Sequence, residues 1–265
     1  MTTDCPEEFI VFAHGLADAT GAILRRYFRR PLAVSDKPDA SPVTVADKEA
    51  EEAIRERIAA RYPEHGVIGE EFPPHRPEAE YLWVVDPLDG TKSFVTAKPL
   101  FATLIGLVHG ERAILGLIDH PALHERWIGA AGRPTEWNGA SQRVRACPEL
   151  ARAVLATTSP DAFSPEDWSA YLRVHAGARF AVYGGDAYAF GLLASGFLDL
   201  IVETDHGVDD FFPLVPVIEQ AGGVMTDWSG RPLGMHSDGR IIAAGDPRLH
   251  AQALALLAGA RECSA

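Results

Sequence analysis

Hydrophobic residues recur along the chain at two spacings, and each spacing predicts a type of element. Over residues 6–29 the apolar positions fall three or four apart, which is typical of an amphipathic helix. The proline-rich stretch 31–42 predicts a loop or short hairpin, and a second helix is predicted over about 44–61. Short apolar runs follow, and the last two flank a His-Gly-Glu turn that predicts a hairpin. These runs are 67–68, 81–85, 101–108 and 113–118.

The pattern changes after about residue 145, where strand-like and helix-like segments alternate. Hairpins followed by alternation predict an α/β (α+β) protein with two lobes, an antiparallel-sheet lobe at 1–145 and a mixed α/β lobe at 146–265. Pro216 lies inside one of the predicted helices and should kink it. The strands of the second lobe are predicted at 153–157, 180–183, 198–202, 224–228 and 241–244, and its helices near 166–174, 186–195, 210–221 and 247–258.

Composition narrows the classes of partner. The 265 residues are 47% hydrophobic, and 24 Lys+Arg against 37 Asp+Glu give a net charge of −13. This charge disfavours binding to nucleic acid or anionic membranes unless bound cations reverse the local field. No apolar run approaches the roughly 20 residues that span a bilayer, and the acidic N-terminus lacks a signal-peptide pattern. Three distant cysteines, Cys5, Cys147 and Cys263, predict reduced thiols in a cytoplasmic protein.

The segment 83–91 carries the strongest chemical signal. An apolar strand runs directly into Asp86 and Asp89, which are separated by a proline and followed by Gly90. Two carboxylates on one tight turn repel each other, and a cation would offset that repulsion. Oxygen ligands suit Mg²⁺, and free N–H groups of a helix starting at Thr91 would face a bound phosphate. The alternative is a solvated turn, because Asp-Pro and Asp-Gly are common turn formers.

Other acidic residues could join this pair, although each also has a purely structural explanation. Glu70 and Glu71 follow a short strand and could face the same cleft or form a charged loop. Asp47 lies three residues after a threonine, which is the spacing of a helix capping box, but it could also accept a hydrogen bond from Thr91. Asp210 could cap a helix or serve as a ligand at its N-terminus.

Four motifs in this order resemble the inositol monophosphatase superfamily of Mg²⁺-dependent, lithium-sensitive phosphatases. They are Thr-x-x-Asp within 43–47, Gly-Glu-Glu at 69–71, Asp-Pro-Leu-Asp-Gly-Thr at 86–91, and Asp210 eleven residues before Ala-Gly-Gly. The match in order and spacing runs from about residue 10 to 255. The resemblance implies a layered α/β/α/β/α sandwich, usually in a homodimer, and hydrolysis of a small phosphate monoester by direct in-line attack of water.

Within the superfamily the chain is most similar to the histidinol-phosphatase branch, which acts on L-histidinol phosphate in histidine biosynthesis. The segments that carry this similarity are 89–94, 99–105, 125–127 and 183–188. The alternatives are an inositol-1-monophosphatase, a fructose bisphosphatase, or a nucleotide 3′-phosphatase or broad-specificity sugar phosphatase of the same superfamily. A metal-binding regulatory protein is the non-enzyme alternative, but it should lack a metal ligand, and none of the expected acidic positions is lost.

The resemblance also implies roles for individual residues in binding two or three Mg²⁺ ions. Glu70, Asp86 and the Leu88 carbonyl would hold the activating ion. Asp86, Asp89 and Asp210 would hold a second ion on the leaving-group side, and Glu70 would touch a third. The residue before Asp210 is an aspartate, where family members commonly have an aromatic residue.

A second set of roles concerns the phosphate, the water and the leaving group. Gly90 and Thr91 would bind phosphate through backbone N–H groups, and Thr91 with Asp47 would position the water. Asp186 and Glu203 would lie near the leaving group, where two carboxylates suit a substrate that carries an ammonium and an imidazole. On local grounds alone, Asp186 could instead cap the helix predicted at 186–195.

Overall fold

The computed structural model describes residues 4–31, 34–36 and 42–259. In that part of the chain the helices are α1 (Glu7–Tyr27), α2 (Val45–Arg61), α3 (Thr91–Val95), α4 (Pro165–Gly177), α5 (Asp186–Ala194), α6 (Val208–Phe211), α7 (Leu214–Gln220) and α8 (Pro247–Ala258). None of these helices is both long enough and apolar enough to cross a bilayer. Cys263 lies outside the described residues, while Cys5 and Cys147 are buried free thiols.

The strands form two large sheets and one short pair. Seven strands pair in the order β3-β4-β5-β6-β7-β8-β9, with β3 parallel to β4 and the other pairs antiparallel. Five strands pair in the order β11-β10-β12-β14-β13, in which β10 is parallel to both neighbours. The strands are β1 (Val34–Asp36), β2 (Pro42–Thr44), β3 (Gly66–Gly69), β4 (Tyr81–Asp89), β5 (Ala102–His109), β6 (Arg112–His120), β7 (Glu125–Ala130), β8 (Arg133–Trp137), β9 (Ala140–Ser141), β10 (Val154–Thr157), β11 (Phe180–Tyr183), β12 (Leu200–Glu203), β13 (Val224–Asp227) and β14 (Ile241–Ala244).

Strand β4 shows why the first sheet is covered on both faces. Successive side chains of a strand point to opposite faces. Trp83 and Val85 pack with apolar residues of α1 and α2, whereas Leu82 and Val84 belong to a second cluster with residues of α5 and α7. Both sets of side chains are buried, so the strand reads as a continuous apolar run.

The second sheet is covered in the same way. One face shares the central cluster with α5 and α7, and the other packs Leu155, Val202 and Ile242 against α4 and α8. The order of layers is therefore α1/α2, first sheet, α5–α7, second sheet, α4/α8, which confirms the α/β/α/β/α sandwich. The change of sheet falls between Ser141 and Val154. Since the central cluster contains residues from both halves, the division into lobes 1–145 and 146–265 stays a prediction.

The predicted helix 210–221 differs most from the structure. The structure has two helices here, α6 and α7. The helical conformation is interrupted at Phe212 and Pro213 rather than at Pro216. Pro216 occupies the first turn of α7, where a backbone N–H has no partner within the helix and its loss costs little.

The sequence did not predict strands β7, β8 and β9, because residues 125–141 lack a long apolar run.

A row of glycines explains how closely α6 and α7 approach the first sheet. Gly106, Gly116 and Gly129 are direct neighbours across β5, β6 and β7. A Cβ on Gly116 would lie 1.9 Å from the Pro213 carbonyl oxygen, and a Cβ on Gly129 would lie 2.3 Å from the Pro216 carbonyl oxygen. The backbone between the two helices therefore rests directly on the sheet, which fixes the height of α6 above it.

We predict that Gly116→Ala destabilises the protein by about 1–3 kcal/mol, since the added methyl group collides with backbone. The melting temperature should fall by roughly 2–4 °C per kcal/mol, measured by circular dichroism. The matched control is Gly15→Ala in α1, where nothing lies within 4 Å of an added Cβ and the substitution should stabilise the helix by up to about 1 kcal/mol. A Gly116→Ala protein that melts at the wild-type temperature would contradict this explanation of the close approach.

Candidate active site

The two aspartates at the end of β4 lie on a bulge. Asp86 pairs with Leu104 and Asp89 with Ala102, so β4 carries one residue more than β5 between these pairs. Such a bulge bends the strand and changes the direction of its side chains. Asp86 is only 3% exposed, and its Oδ1 accepts a hydrogen bond of 2.8 Å from the Leu88 N–H. The solvated-turn alternative is therefore wrong.

Gly90 links this bulge to helix α3, which begins at Thr91. Its φ of +75° lies in the left-handed region that glycine tolerates best. A Cβ at this position would also lie 3.0 Å from Oδ2 of Asp186. The glycine thus permits both the sharp turn and the close approach of another carboxylate to the bulge.

Asp210 meets the bulge from a distant part of the sequence. It is the third residue of α6, and its Oδ2 accepts a 2.7 Å hydrogen bond from the Gly207 N–H at the start of that helix. Carboxylate oxygens of Asp86, Asp89 and Asp210 all lie within 4.8 Å of one another. Capping the helix and joining the acidic cluster are therefore compatible, because the carboxylate has two oxygens.

Burial and mutual repulsion dominate the electrostatics of this cluster. The pKa values of Asp86 and Asp89 are raised well above their usual range, first by burial and then by the neighbouring acids Glu70 and Asp186, respectively. Burial, followed by the charge of Asp210, raises the pKa of Asp209 to about 7. A divalent cation would relieve both the desolvation and the repulsion, and a donor set made of carboxylate oxygens fits Mg²⁺.

Glu70 follows β3 and is the better candidate of the Glu-Glu pair. Its charge contributes to the raised pKa values of Asp47, Asp86 and Asp209, so its carboxylate lies near the cluster. The backbone N–H of Glu71 is bound by a buried glutamate of α2. The proximity agrees with Glu70 as a ligand, but that role stays a prediction.

The geometry around Asp47 is compatible with both roles considered from the sequence, which are capping α2 and accepting a hydrogen bond from Thr91. One oxygen, Oδ2, accepts the Thr44 N–H at 2.8 Å and so caps α2. The other, Oδ1, lies 3.4 Å from Thr91 Oγ1, which is also 3.1 Å from the Leu88 carbonyl oxygen. The Thr91 hydroxyl has one proton and can donate to only one of these acceptors at a time. Burial raises the pKa of Asp47.

The two candidate substrate carboxylates differ in their surroundings. Asp186 begins α5, has a φ of +44°, and its Oδ2 accepts a 3.0 Å hydrogen bond from Ser93 Oγ. The N-cap position of α5 is Gly185, so Asp186 is the first residue of the helix and not its N-cap as the alternative required. The next residue, Ala187, donates its N–H to Asp89 Oδ2 at 3.0 Å, which fixes the start of α5 against the acidic cluster.

Glu203 is enclosed. It is 1% exposed, and its two carboxylate oxygens accept hydrogen bonds from the Thr157 hydroxyl at 2.9 Å and the Thr158 N–H at 2.6 Å. Burial raises the pKa of Glu203. Direct contact between Glu203 and a substrate stays a prediction, and the structure gives the residue a clear role in joining β12 to the end of β10.

Some residues around the site were not predicted from the sequence. Ser93 binds Asp186, and its only signal is a position two residues after Thr91. Burial raises the pKa values of both Asp186 and Glu203, and His206 is among the groups that oppose this rise, which places it near them. Glu51 on α2 is fully buried beside the strand that leads to Glu70. Nothing in the local sequence marks it as different from the other glutamates of that helix.

Comparisons with known proteins agree with the fold. Residues 6–262 match the inositol monophosphatase family. The chain is 47% identical over 257 residues to the bifunctional phosphatase IMPL2, chloroplastic, of Arabidopsis thaliana, covering 94% of this chain and 74% of the relative. It is 36% identical over 236 residues to a histidinol-phosphatase of Chlorobaculum parvum, covering 86% and 89%. A solved structure of an inositol monophosphatase from Zymomonas mobilis superposes with a TM-score of 0.88 at 45% identity, covering 95% and 98%.

The fold and the matched relatives define the protein as a phosphatase, that is, a phosphoric monoester hydrolase. The chain belongs to the inositol monophosphatase family. Enzymes of this family generally depend on Mg²⁺, and the acidic cluster of this chain agrees with that dependence. A small-molecule phosphate is the type of substrate that fits the family.

We predict that the charge on Asp209 destabilises the metal-free protein increasingly as the pH rises. Its pKa moves from 3.8 in the reference state to about 7 in the folded protein, so the folded state binds more protons and loses stability through this window. Asp209→Asn removes the charge but keeps the shape. The melting temperature of this variant should exceed that of the wild type by an amount that grows between about pH 4 and pH 7 and then levels off.

The control for this measurement is Asp205→Asn, because Asp205 is exposed and lies outside the acidic cluster. Its melting temperature should follow the wild type at every pH. Saturating Mg²⁺ should reduce the advantage of Asp209→Asn, since the cation screens the same repulsion. If the melting-temperature advantage of Asp209→Asn does not change with pH, the pKa of Asp209 is not raised in the folded protein.

Proposed function

We propose that the protein is a Mg²⁺-dependent histidinol-phosphatase that converts L-histidinol phosphate and water to L-histidinol and phosphate. The observation that carries this proposal is Asp186, a carboxylate that lies against Gly90 at the edge of the acidic cluster. The relatives that share the fold include a histidinol-phosphatase at 36% identity. The proposal also includes a cytoplasmic homodimer, which the family resemblance favours.

The residues that would hold Mg²⁺ are those that the bulge and α6 bring together. Asp86, Asp89 and Asp210 form the core of the donor set, and Glu70 and the Leu88 carbonyl would complete it for two or three ions. When bound, Mg²⁺ would neutralise these carboxylates, lower the pKa of a nearby water and stabilise negative charge on the phosphate and the leaving oxygen.

The remaining groups would orient the phosphate and the attacking water. The Thr91 hydroxyl lies within 3.4 Å of Asp47 Oδ1, and when it donates its proton there, its lone pairs are free to accept a hydrogen bond from water. The backbone N–H groups of Gly90 and Thr91 at the start of α3 would bind phosphate oxygens. Water attacks phosphorus opposite the ester oxygen, the P–O ester bond breaks, and the alcohol leaves with a proton.

Asp186 supplies the basis for choosing among phosphate esters. L-Histidinol carries an ammonium group and an imidazole, whereas inositol carries only hydroxyl groups. A half-buried carboxylate near the leaving group would attract an ammonium or imidazolium through its charge as well as through a hydrogen bond, whereas a hydroxyl of inositol offers the hydrogen bond alone. Ser93 holds this carboxylate in place through its 3.0 Å hydrogen bond.

The second candidate is an inositol-1-monophosphatase. It is favoured by the solved inositol monophosphatase of Zymomonas mobilis, which shares 45% of its residues with this chain. Hydroxyl groups of inositol can also donate hydrogen bonds to Asp186. The two candidates share one metal site and one reaction, so they differ only in the leaving group.

We predict that kcat/KM for L-histidinol phosphate exceeds that for inositol 1-phosphate by tenfold or more, which corresponds to about 1.4 kcal/mol. The measurement is phosphate release with and without Mg²⁺, using the purified protein. Asp186→Asn keeps the hydrogen bond to Ser93 but removes the charge. It should lower kcat/KM for histidinol phosphate by roughly tenfold and change the value for inositol 1-phosphate much less.

A matched control is Asp161→Asn, which removes a charge from an exposed residue and should leave both substrates unaffected. A tenfold preference for inositol 1-phosphate would contradict the choice of substrate. Equal losses for both substrates in Asp186→Asn would show that the residue only supports the fold. If neither ester is hydrolysed in the presence of Mg²⁺, the proposed reaction itself fails.

A further inference from the structure

The segment that presents Glu70 is a loop with a narrow base. We call residues 70–74 the Glu70 loop. Its base is closed by a pair of backbone hydrogen bonds between Val67 and His75, of 2.8 and 2.9 Å. The Glu70 carboxylate lies near Asp86 and Asp47, since its charge raises the pKa values of both. The position of this side chain therefore depends on what holds the backbone of the loop.

Glu51 of α2 holds the backbone on both sides of Glu70. Its side chain is completely buried, and its Oε2 accepts the Glu71 N–H at 2.7 Å. On the other side, a Cβ at Gly69 would lie 2.3 Å from Glu51 Oε1, so the absence of a side chain lets the carboxylate contact the strand directly. The residues immediately before and after Glu70 thus both rest on one carboxylate.

Arg55, one turn further along α2, completes the contact. Its Nε donates to Glu51 Oε1 at 2.7 Å, and its terminal nitrogen donates to the Phe72 carbonyl oxygen at 3.0 Å. The guanidinium also lies 5.8 Å from the centre of the Phe72 ring. The pair therefore binds a backbone donor at residue 71 and a backbone acceptor at residue 72.

The rest of the loop has little support from the core. Between the loop and α2 lies a cavity of about 370 Å³, lined by Ile58, Pro63, Pro73 and Pro74 among others. Apolar packing therefore does not fix this stretch as it fixes the strands. Hydrogen bonds from α2 supply the constraint instead.

Burying a carboxylate at this position is costly for stability alone. An ion pair in the interior contributes less than well-packed apolar residues of similar volume would, because desolvation offsets the attraction. The negative charge of Glu51 also adds to the repulsion within the site, since it contributes to the raised pKa of Asp209. The repulsion is unfavourable in the metal-free protein, and a bound cation would replace it with attraction.

We propose that Glu51 and Arg55 are positioning residues that set the affinity of the site for Mg²⁺ by fixing the backbone on either side of Glu70. This inference rests on the proposed function, because it assigns Glu70 to the metal. Glu51 and Arg55 are not among the residues proposed to hold Mg²⁺ or the substrate. They act through the loop, as residues that orient metal ligands do in other sites.

The test compares Mg²⁺ affinity with folding and turnover in two pairs of matched variants. Arg55→Ala removes the contact with Phe72, and its control is Arg57→Ala, an exposed arginine on the same helix. Glu51→Gln removes the buried charge, and its control is Glu52→Gln at the exposed neighbouring position. The readouts are the dissociation constant of Mg²⁺ by calorimetry, the melting temperature of the metal-free protein, and kcat at saturating Mg²⁺.

We expect Arg55→Ala and Glu51→Gln to weaken Mg²⁺ binding by roughly tenfold or more while kcat at saturating Mg²⁺ changes by less than about threefold. The two controls should match the wild type. If Glu51→Gln does not fold, the Mg²⁺ affinity of Arg55→Ala alone tests the inference. Wild-type Mg²⁺ affinity in a folded Arg55→Ala protein would overturn the inference. Failure of the proposed function looks different, because the wild type itself would then show no Mg²⁺-dependent phosphate release.

Discussion

Repulsion among the carboxylates of Asp86, Asp89 and Asp210 is the constraint on which the rest of the structure depends. Their oxygens lie within 4.8 Å of one another in a largely buried setting, which raises the pKa values of Asp86 and Asp89. An arrangement of this kind is unfavourable unless a cation is bound, so the fold must hold the three groups together by other means.

The devices that hold them are backbone features. The bulge in β4 directs the first two aspartates, and Gly90 allows the chain to turn sharply after them. The third aspartate is bound to the start of α6, and the glycine row under Pro213 sets that helix close to the sheet. Apolar packing of two sheets and three helical layers supports all of these contacts. The hydrophobic core thereby stabilises an acidic site that would not form by itself.

The sequence predicted the fold well because its elements have strong periodicity and clear ends. The apolar run of β4 and the capping box of α2 were visible in the residues themselves, and the acidic motifs indicated where the site would form. What the sequence could not show depends on contacts between distant segments. The buried state of Glu203, the hydrogen bond between Ser93 and Asp186, and the support of Glu51 for the Glu70 loop all arise from such contacts. Pro216 looked like a helix breaker because the sequence did not show that one helix ends at Phe211 and a new one begins at Leu214.

The central claim is that a divalent cation binds between the end of β4 and the start of α6. The most direct measurement is anomalous diffraction from crystals grown with Mn²⁺, which replaces Mg²⁺ at oxygen-rich sites. The account predicts an anomalous peak in contact with carboxylate oxygens of Asp86, Asp89 and Asp210. Crystals that contain saturating Mn²⁺ but show no peak among these three residues would contradict it.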